Sequence, residues 1–105
     1  MDKVFELIKK EAKRQQETLQ MIPSENYASS AVLSAQGSVL SNKYAEGYPG
    51  KRYYQGNAVV DELELLCQER AKKLFKVPHV NVQPLSGTPA NLAIIKALKS
   101  SDQDI

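Results

Sequence analysis

The sequence has one cysteine, Cys67, and no tryptophan among its 105 residues. A single cysteine excludes an internal disulfide and a cysteine cluster around a metal ion, so no metal site is expected. No apolar run approaches the ~20 residues that span a bilayer, and the first residues lack the apolar stretch of a signal peptide. These absences favour a reducing, cytoplasmic setting without a membrane segment.

An excess of charge of one sign is also missing, since the formal net charge is only +2. This value is too small to indicate a polyanionic partner by itself. Hydrophobic residues make up 42% of the chain and charged residues 25%, which is an ordinary globular composition. The length fits one small domain or part of a larger protein. We expect a truncated chain, because residues 100–105 form a polar stretch with no capping signal.

Helical spacing of apolar residues predicts two long amphipathic helices. Asp2 is predicted to cap the first, which extends towards Leu19 and has Pro23 at its end or just beyond it. The second is predicted across residues 60–75, with Cys67 buried on its apolar face. A shorter helix is predicted at about residues 30–40.

The last third of the sequence predicts a strand, a turn and a helix. Residues 79–83 alternate in the manner of a short strand. Thr88 is predicted as the N-cap of the helix, with Pro89 at the first helical position. A turn through Ser86 and Gly87 into a helix N-terminus favours an anion site, because free amides and the helix dipole attract negative charge there. An ordinary capped connection gives the same pattern, so the turn alone leaves both interpretations open.

Residues 41–57 lose all periodicity and contain four of the five tyrosines. An irregular stretch of this length inside a compact domain is commonly functional. Tyrosines offer phenolic donors on flat rings, and Glu46 is a carboxylate among aromatics and glycines, where burial would suit it to proton transfer. The alternative is a packing or subunit-contact loop with solvated Lys51 and Arg52. Nucleic-acid binding, with Lys51 and Arg52 on phosphates and Tyr53 and Tyr54 stacked on bases, is disfavoured. Glu46 interrupts the basic patch, and the overall charge is nearly balanced.

The same residues carry a resemblance to a known family. The run NKYAEGYPGKRYY at residues 42–54 is highly specific, and it stands in order with SEN at 24–26, DE at 61–62, ERA at 69–71, NVQP at 81–84 and SG at 86–87. This pattern resembles the serine hydroxymethyltransferases from about Ile22 onward. Two departures stand out. Pro23 occupies a position where a small residue is common, and Gln55 replaces a usual glycine, which costs roughly 1 kcal/mol if that position needs a positive φ.

The resemblance implies roles for four residues around the amino-acid substrate. Glu46 is similar to the catalytic glutamate that lies over the hydroxymethyl group and manages its proton during carbon–carbon cleavage. Ser24 resembles the hydroxyl that contacts the substrate near its carboxylate. Tyr53 lies where the family contacts folate or substrate, and Tyr54 where a tyrosine helps to hold the substrate carboxylate.

The resemblance also implies a pyridoxal 5'-phosphate site. Tyr44 resembles the tyrosine that reaches across a dimer to the cofactor phosphate. Ser86, Gly87 and Thr88 match the phosphate-binding turn, with Thr88 standing where serine is usual. This agrees with the anion site that the helix N-terminus favours on physical grounds.

For the fold, the resemblance implies an α/β, fold type I pyridoxal-phosphate-dependent transferase, of which this segment is mostly helical with a short strand. Residues 1–40 would form an N-terminal arm and helices, 41–57 an active-site and dimer loop, and 58–105 the start of the large cofactor-binding domain. Homodimers or homotetramers with shared active sites are expected. Neither nucleic acid nor membrane is an expected partner.

The implied activity is the reversible interconversion of serine and glycine, with tetrahydrofolate as the one-carbon acceptor. In such a family the lysine that binds the cofactor, and the aspartate, histidine and arginine that complete the site, lie beyond Ile105. The segment alone is therefore expected to be inactive. The alternative is a non-catalytic orphan fragment that acts as a subunit-interaction module.

Overall fold

Helices make up most of the regular structure in the computed structural model of the chain, which describes residues 2–99. Four α-helices occupy Lys3–Glu17 (α1), Ser30–Gln36 (α2), Ala58–Phe75 (α3) and Gly87–Leu98 (α4). A 3-10 turn covers Val39–Asn42, and two short strands, Gly47–Tyr48 (β1) and Lys51–Arg52 (β2), form an antiparallel pair. The predicted mostly helical character is thus confirmed. The chain divides into two compact units, Met1–Ser41 and Asn42–Ile105.

In the first unit, hydroxyl and carboxylate caps determine where the helices begin. The Asp2 side chain accepts a hydrogen bond from the Val4 amide, which confirms the predicted cap of α1. The Ser29 hydroxyl accepts from the Val32 amide in the same way at α2. The helix α2 ends earlier than predicted, at Gln36, because Gly37 serves as its C-cap and returns its amide to the carbonyls of the last turn.

The helix α3 confirms the prediction from apolar spacing and extends it by two residues at its start. Its C-cap, Lys76, adopts a left-handed conformation with φ 54° and ψ 44°. The amides of Lys76 and Val77 both bond the Lys72 carbonyl, so two donors close the helix end. A glycine usually occupies such a position, because a side chain there crowds the backbone.

Two predictions in the last third are wrong. Residues 79–83 form no strand, since no described segment pairs with them, and the Asn81 side chain instead accepts a hydrogen bond from the Gln83 amide. The helix α4 begins at Gly87 with Ser86 as its N-cap, two residues earlier than a Thr88 cap would place it. The extended backbone of Ser86, with φ −163°, allows the helix to start there.

Burial is slight throughout residues 2–99. Asn57, at 5% exposure, is the one residue in that range that is buried, and no hydrophobic side chain is. Cys67 was predicted to be buried but is exposed, because nothing in the described part of the chain covers that face of α3. Within the same residues, no helix has both the length and the apolar character needed to cross a bilayer.

Candidate functional site

A tight hairpin forms in the tyrosine–glycine stretch that was predicted to be irregular. The strands β1 and β2 pair Gly47 with Arg52 and Tyr48 with Lys51, which leaves Pro49 and Gly50 as the turn. Proline followed by a glycine with φ 73° is the pattern of a type II turn. Turns of this type splay the strands that they join, which explains why each strand is only two residues long.

Gly47 is the second glycine of the hairpin with a positive φ. Its φ is 100°, and a Cβ there would overlap the carbonyl oxygen of Lys51 on the opposite strand. Only glycine tolerates both the angle and the close approach. The position directly after Glu46 therefore requires glycine.

Arg52 is the centre of the hydrogen-bond network that ties the hairpin to α3. Its side chain is only 4% exposed, and it donates from Nε to Asp61 Oδ1 at 2.8 Å and from Nη2 to Glu64 Oε2 at 2.7 Å. Nη1 donates to the carbonyl oxygens of Ala45 at 2.6 Å and Gly47 at 2.9 Å. These bonds use four of the five donors of the guanidinium. The carboxylates raise the pKa of Arg52, Asp61 more than Glu64.

Asp61 connects the hairpin turn to the first turn of α3. Its second oxygen, Oδ2, accepts the Gly50 amide at 2.9 Å, while Oδ1 accepts Arg52. The Gly50 amide and then the guanidinium hold the pKa of the Asp61 carboxyl below its ordinary value. The ionised carboxylate thus fixes both the turn and the arginine.

Gln83 brings a distant part of the chain into this network. Its Nε2 donates to the Gly47 carbonyl at 2.8 Å and to Glu64 Oε1 at 2.9 Å. Gln83 precedes Ser86 by only three residues. The hairpin, α3 and the segment leading into α4 are therefore joined by one set of polar contacts.

Glu46 lies where this network meets an open cavity of about 420 Å³. The cavity is lined by Ala45, Glu46, Glu64, Val82 and Gln83. The Glu46 carbonyl accepts the Tyr53 amide at 3.2 Å, so its backbone is fixed while its side chain is exposed. The expected burial of this carboxylate is not present within the described residues.

The tyrosines of the loop are mostly exposed. Tyr44 and Tyr53 are 77% and 78% exposed, and Tyr54 is 51% exposed. The rings of Tyr44 and Tyr54 are 6.2 Å apart at a tilt of 43°, which is an ordinary aromatic pair. Asn57 donates from Nδ2 to the Tyr54 carbonyl at 2.9 Å and so holds the end of the loop. Exposed phenols on a fixed backbone are suited to contact a ligand or another chain.

The turn at the start of α4 has the features of an anion site. Ser86 makes no side-chain capping bond, so its hydroxyl and the first amides of the helix have no partner in the turn. A Cβ added at Gly87 would meet nothing within 4 Å, which leaves open space over the turn. The Thr88 hydroxyl is exposed beside it. This donor set fits a phosphate group.

Ser24 lies in the first unit, in a turn of its own. The Glu25 amide donates to the Ile22 carbonyl at 3.1 Å, so residues 22–25 form a turn with Pro23 at its second position. Proline is favoured there, and it accommodates the Ser24 hydroxyl in an exposed position.

Gln55, the second departure, does not have a positive φ, since Lys76 is the one non-glycine residue with that property among residues 2–99. Neither departure from the family pattern strains the backbone.

Sequence reasoning missed the role of Arg52, which the packing-loop alternative described as solvated. The signal was present in the spacing of Asp61 and Glu64, which lie three residues apart on one face of α3. Pairing with these carboxylates also removes Arg52 from any nucleic-acid site.

No group of three or more potential metal ligands occurs within residues 2–99.

Comparisons with known proteins give one consistent result. A family model described as serine hydroxymethyltransferase matches residues 1–105. The serine hydroxymethyltransferase of Acidothermus cellulolyticus is 58% identical over 97 residues, which are 92% of this chain and 23% of the relative. That of Phytoplasma australiense is 55% identical over 103 residues, 98% of this chain and 25% of the relative. That of Phenylobacterium zucineum is 63% identical over 91 residues, 87% of this chain and 21% of the relative. The chain thus spans about a quarter of the length of these relatives.

Proposed function

Because the chain belongs to the serine hydroxymethyltransferase family, we propose that it forms the amino-terminal part of an enzyme that interconverts serine and glycine. The family membership predicted from residues 42–54 is confirmed by the comparisons. The proposed one-carbon acceptor is tetrahydrofolate. The observation that carries the proposal is the position of Glu46, a carboxylate at an open cavity on a backbone that is fixed on both sides.

The proposed role of Glu46 is to hold and move the proton of the serine hydroxyl group. When that proton leaves, the carbon–oxygen bond gains double-bond character as the bond between Cα and Cβ breaks. The electron pair of the broken bond remains on Cα. A carboxylate within hydrogen-bond reach of the hydroxyl is suited to this transfer.

Pyridoxal 5'-phosphate is the proposed cofactor, and when bound it supplies an electron sink for the charge that develops at Cα. Ser86, Gly87 and Thr88 would hold its phosphate, and the free hydroxyls and open turn described above support that assignment. Tyr44 would donate its phenol to the same phosphate. The exposure of Tyr44 is compatible with a reach to a neighbouring subunit.

Three residues are proposed to bind the substrates. Ser24 and Tyr54 would contact the carboxylate of the amino acid, and Tyr53 would contact folate or the amino acid. All three residues are exposed and lie outside the helices and strands, which supports a role in binding. With the cofactor, they would orient the hydroxymethyl carbon towards Glu46.

The proposed architecture is a fold type I pyridoxal-phosphate enzyme, assembled as a homodimer or homotetramer with shared active sites. In it, residues 1–40 serve as an arm, 41–57 as the active-site loop and 58–105 as the start of the cofactor-binding domain. A subunit-interaction module without catalysis is the second candidate. It is favoured by one observation, an apolar groove of about 480 Å³ on α1 and α2 whose walls include Val4, Ile8 and Leu33.

The test uses the complete protein that contains this chain. We expect it to convert serine to glycine in the presence of tetrahydrofolate, and we expect Glu46→Gln to lower kcat by about 10²–10⁴-fold, because the proton transfer is lost. Glu62→Gln, which removes an exposed carboxylate of α3, serves as the control and should leave kcat unchanged.

An inactive wild-type protein would contradict the proposed function and favour the interaction module. An active protein in which Glu46→Gln behaves like the Glu62 control would keep the activity but remove Glu46 from its role.

A further inference from the structure

We infer that Arg52 is a positioning residue that acts on the reaction through Glu46, an inference that rests on the proposed function. Nη1 of Arg52 binds the carbonyls of Ala45 and Gly47, and these two residues flank Glu46 in the chain. A single guanidinium nitrogen therefore binds the backbone of the residue before and the residue after the proposed catalytic glutamate.

The backbone of Glu46 is held at three successive carbonyls. Arg52 binds those of Ala45 and Gly47, and the Tyr53 amide binds that of Glu46 itself. Gln83 adds a second donor to the Gly47 carbonyl. The network therefore fixes the Cα position of Glu46.

The carboxylate of Glu46 has no such support of its own. Within residues 2–99 no hydrogen bond or ion pair contacts it, and the side chain is exposed at the cavity. Its location over a substrate thus depends on the backbone. Misplacement of a reacting group by about 1 Å can cost on the order of 10²-fold in rate, so the backbone position has a direct catalytic consequence.

The guanidinium is itself fixed by α3. Asp61 and Glu64 bind Nε and Nη2 from two positions on the same helix face, and the side chain is 4% exposed. The planar fork of arginine is required for this arrangement, because its donors point in separate fixed directions. A lysine keeps the charge but presents its donors from one nitrogen, which cannot reach both carboxylates and both carbonyls.

The experiment compares two reactions of the complete protein with its cofactor bound. Serine cleavage with tetrahydrofolate requires the hydroxyl proton to move, whereas exchange of the glycine α-proton with solvent involves no hydroxyl group. We expect Arg52→Lys to lower kcat for serine by about 10–100-fold, with KM for serine and the rate of glycine exchange each within about threefold of wild type. Lys51→Gln, which changes the exposed basic neighbour, should alter neither reaction.

A double-mutant cycle supplies the second readout. If Arg52 acts through Glu46, adding Arg52→Lys to Glu46→Gln should change kcat for serine by less than about threefold. Losses that multiply in the double variant would overturn the inference, as would a parallel loss of both reactions in Arg52→Lys. Both reactions absent in wild type would instead mean that the proposed function fails.

If Arg52→Lys does not fold, Glu64→Gln tests the same inference. Glu64→Gln keeps the bond to Gln83 but replaces the acceptor of Nη2 with an amide, which loosens the guanidinium. The same pattern with smaller losses, about 3–10-fold for serine cleavage and none for glycine exchange, is expected. Equal losses in both reactions would overturn the inference here too.

Discussion

The hydrogen bonds inside the first unit differ in range from those inside the second. In Met1–Ser41 most hydrogen bonds join residues within one or two helical turns, as Arg14 does with Glu11 at 2.6 Å and Gln15 with Glu11 at 2.8 Å. The Tyr27 hydroxyl donates to the Gln15 carbonyl at 3.5 Å, across 12 residues. In the second unit, Gln83 reaches Gly47 across 36 residues at 2.8 Å.

The difference determines how each unit responds to a substitution. The contacts on α1 are exposed and screened by solvent, so the loss of one should cost little stability. The contacts around Arg52 share one guanidinium, and the removal of one member leaves partly buried groups without partners. The second unit should therefore be sensitive at single positions where the first is tolerant.

The sharpest contrast is expected between two glycines. Gly47→Ala forces a side chain onto a φ of 100° and into the Lys51 carbonyl, so the free energy of unfolding should fall by roughly 2–4 kcal/mol. Gly37, with φ −86°, has only an ordinary contact at 3.4 Å, and Gly37→Ala should change it by less than about 1 kcal/mol. Chemical denaturation of the complete protein measures both, and equal losses would remove the contrast.

A smaller effect, of opposite sign, is expected at the end of α3. Lys76→Gly relieves the left-handed conformation and should stabilise the protein by about 1 kcal/mol. Lys99→Gly is the matched control at the C-cap of α4, where φ is −68° and no strain exists to relieve. A thermal melt of each variant compares them. A lower Tm for Lys76→Gly would show that the lysine side chain contributes more than its backbone costs.

The smallest expected effect is on the free energy of unfolding at acid pH. The Arg14 guanidinium, and then Gln15, lower the pKa of Glu11 to about 2, while Gly50 and Arg52 lower that of Asp61. A folded-state pKa below the unfolded value contributes stability above the unfolded pKa of about 4, and that stability is lost as pH falls through the folded pKa. We therefore expect Asp61→Asn to flatten the decline of stability below about pH 4, and Glu11→Gln to have no measurable effect on it, because Glu11 lies in an exposed local pair.

Nuclear magnetic resonance titration of the two carboxyl carbons checks the assignment. A titration of Asp61 at its ordinary value of 3.8 would show that the network around Arg52 does not form in solution.

The same contrast explains what the sequence could predict. Periodic spacing and an N-cap residue are local signals, and they predicted α3 and the start of α1 correctly, because such helices depend on near neighbours. The end of α1 was predicted too late, since the helix stops at Glu17 and does not reach Leu19. The strand at residues 79–83 was wrong since alternation says nothing about a pairing partner. The hairpin was missed because Pro49 and Gly50 lie among residues with no alternation around them.

The candidate site was predictable only in part, for a similar reason. The features of an anion site at Ser86 were predictable, because they follow from a turn that leads into a helix. The function of Arg52 depends on Asp61, Glu64 and two carbonyls that come together only in the folded chain. A charged residue in a polar loop resembles a solvated one until its partners are located.

The most direct test of the account is a crystal structure of the complete protein with serine bound. The account predicts a Glu46 carboxylate oxygen within about 2.6–3.2 Å of the serine hydroxyl, with Arg52 bound to the carbonyls of Ala45 and Gly47. A Glu46 side chain directed away from the hydroxyl, or an Arg52 released from those carbonyls while the substrate is bound, would contradict it.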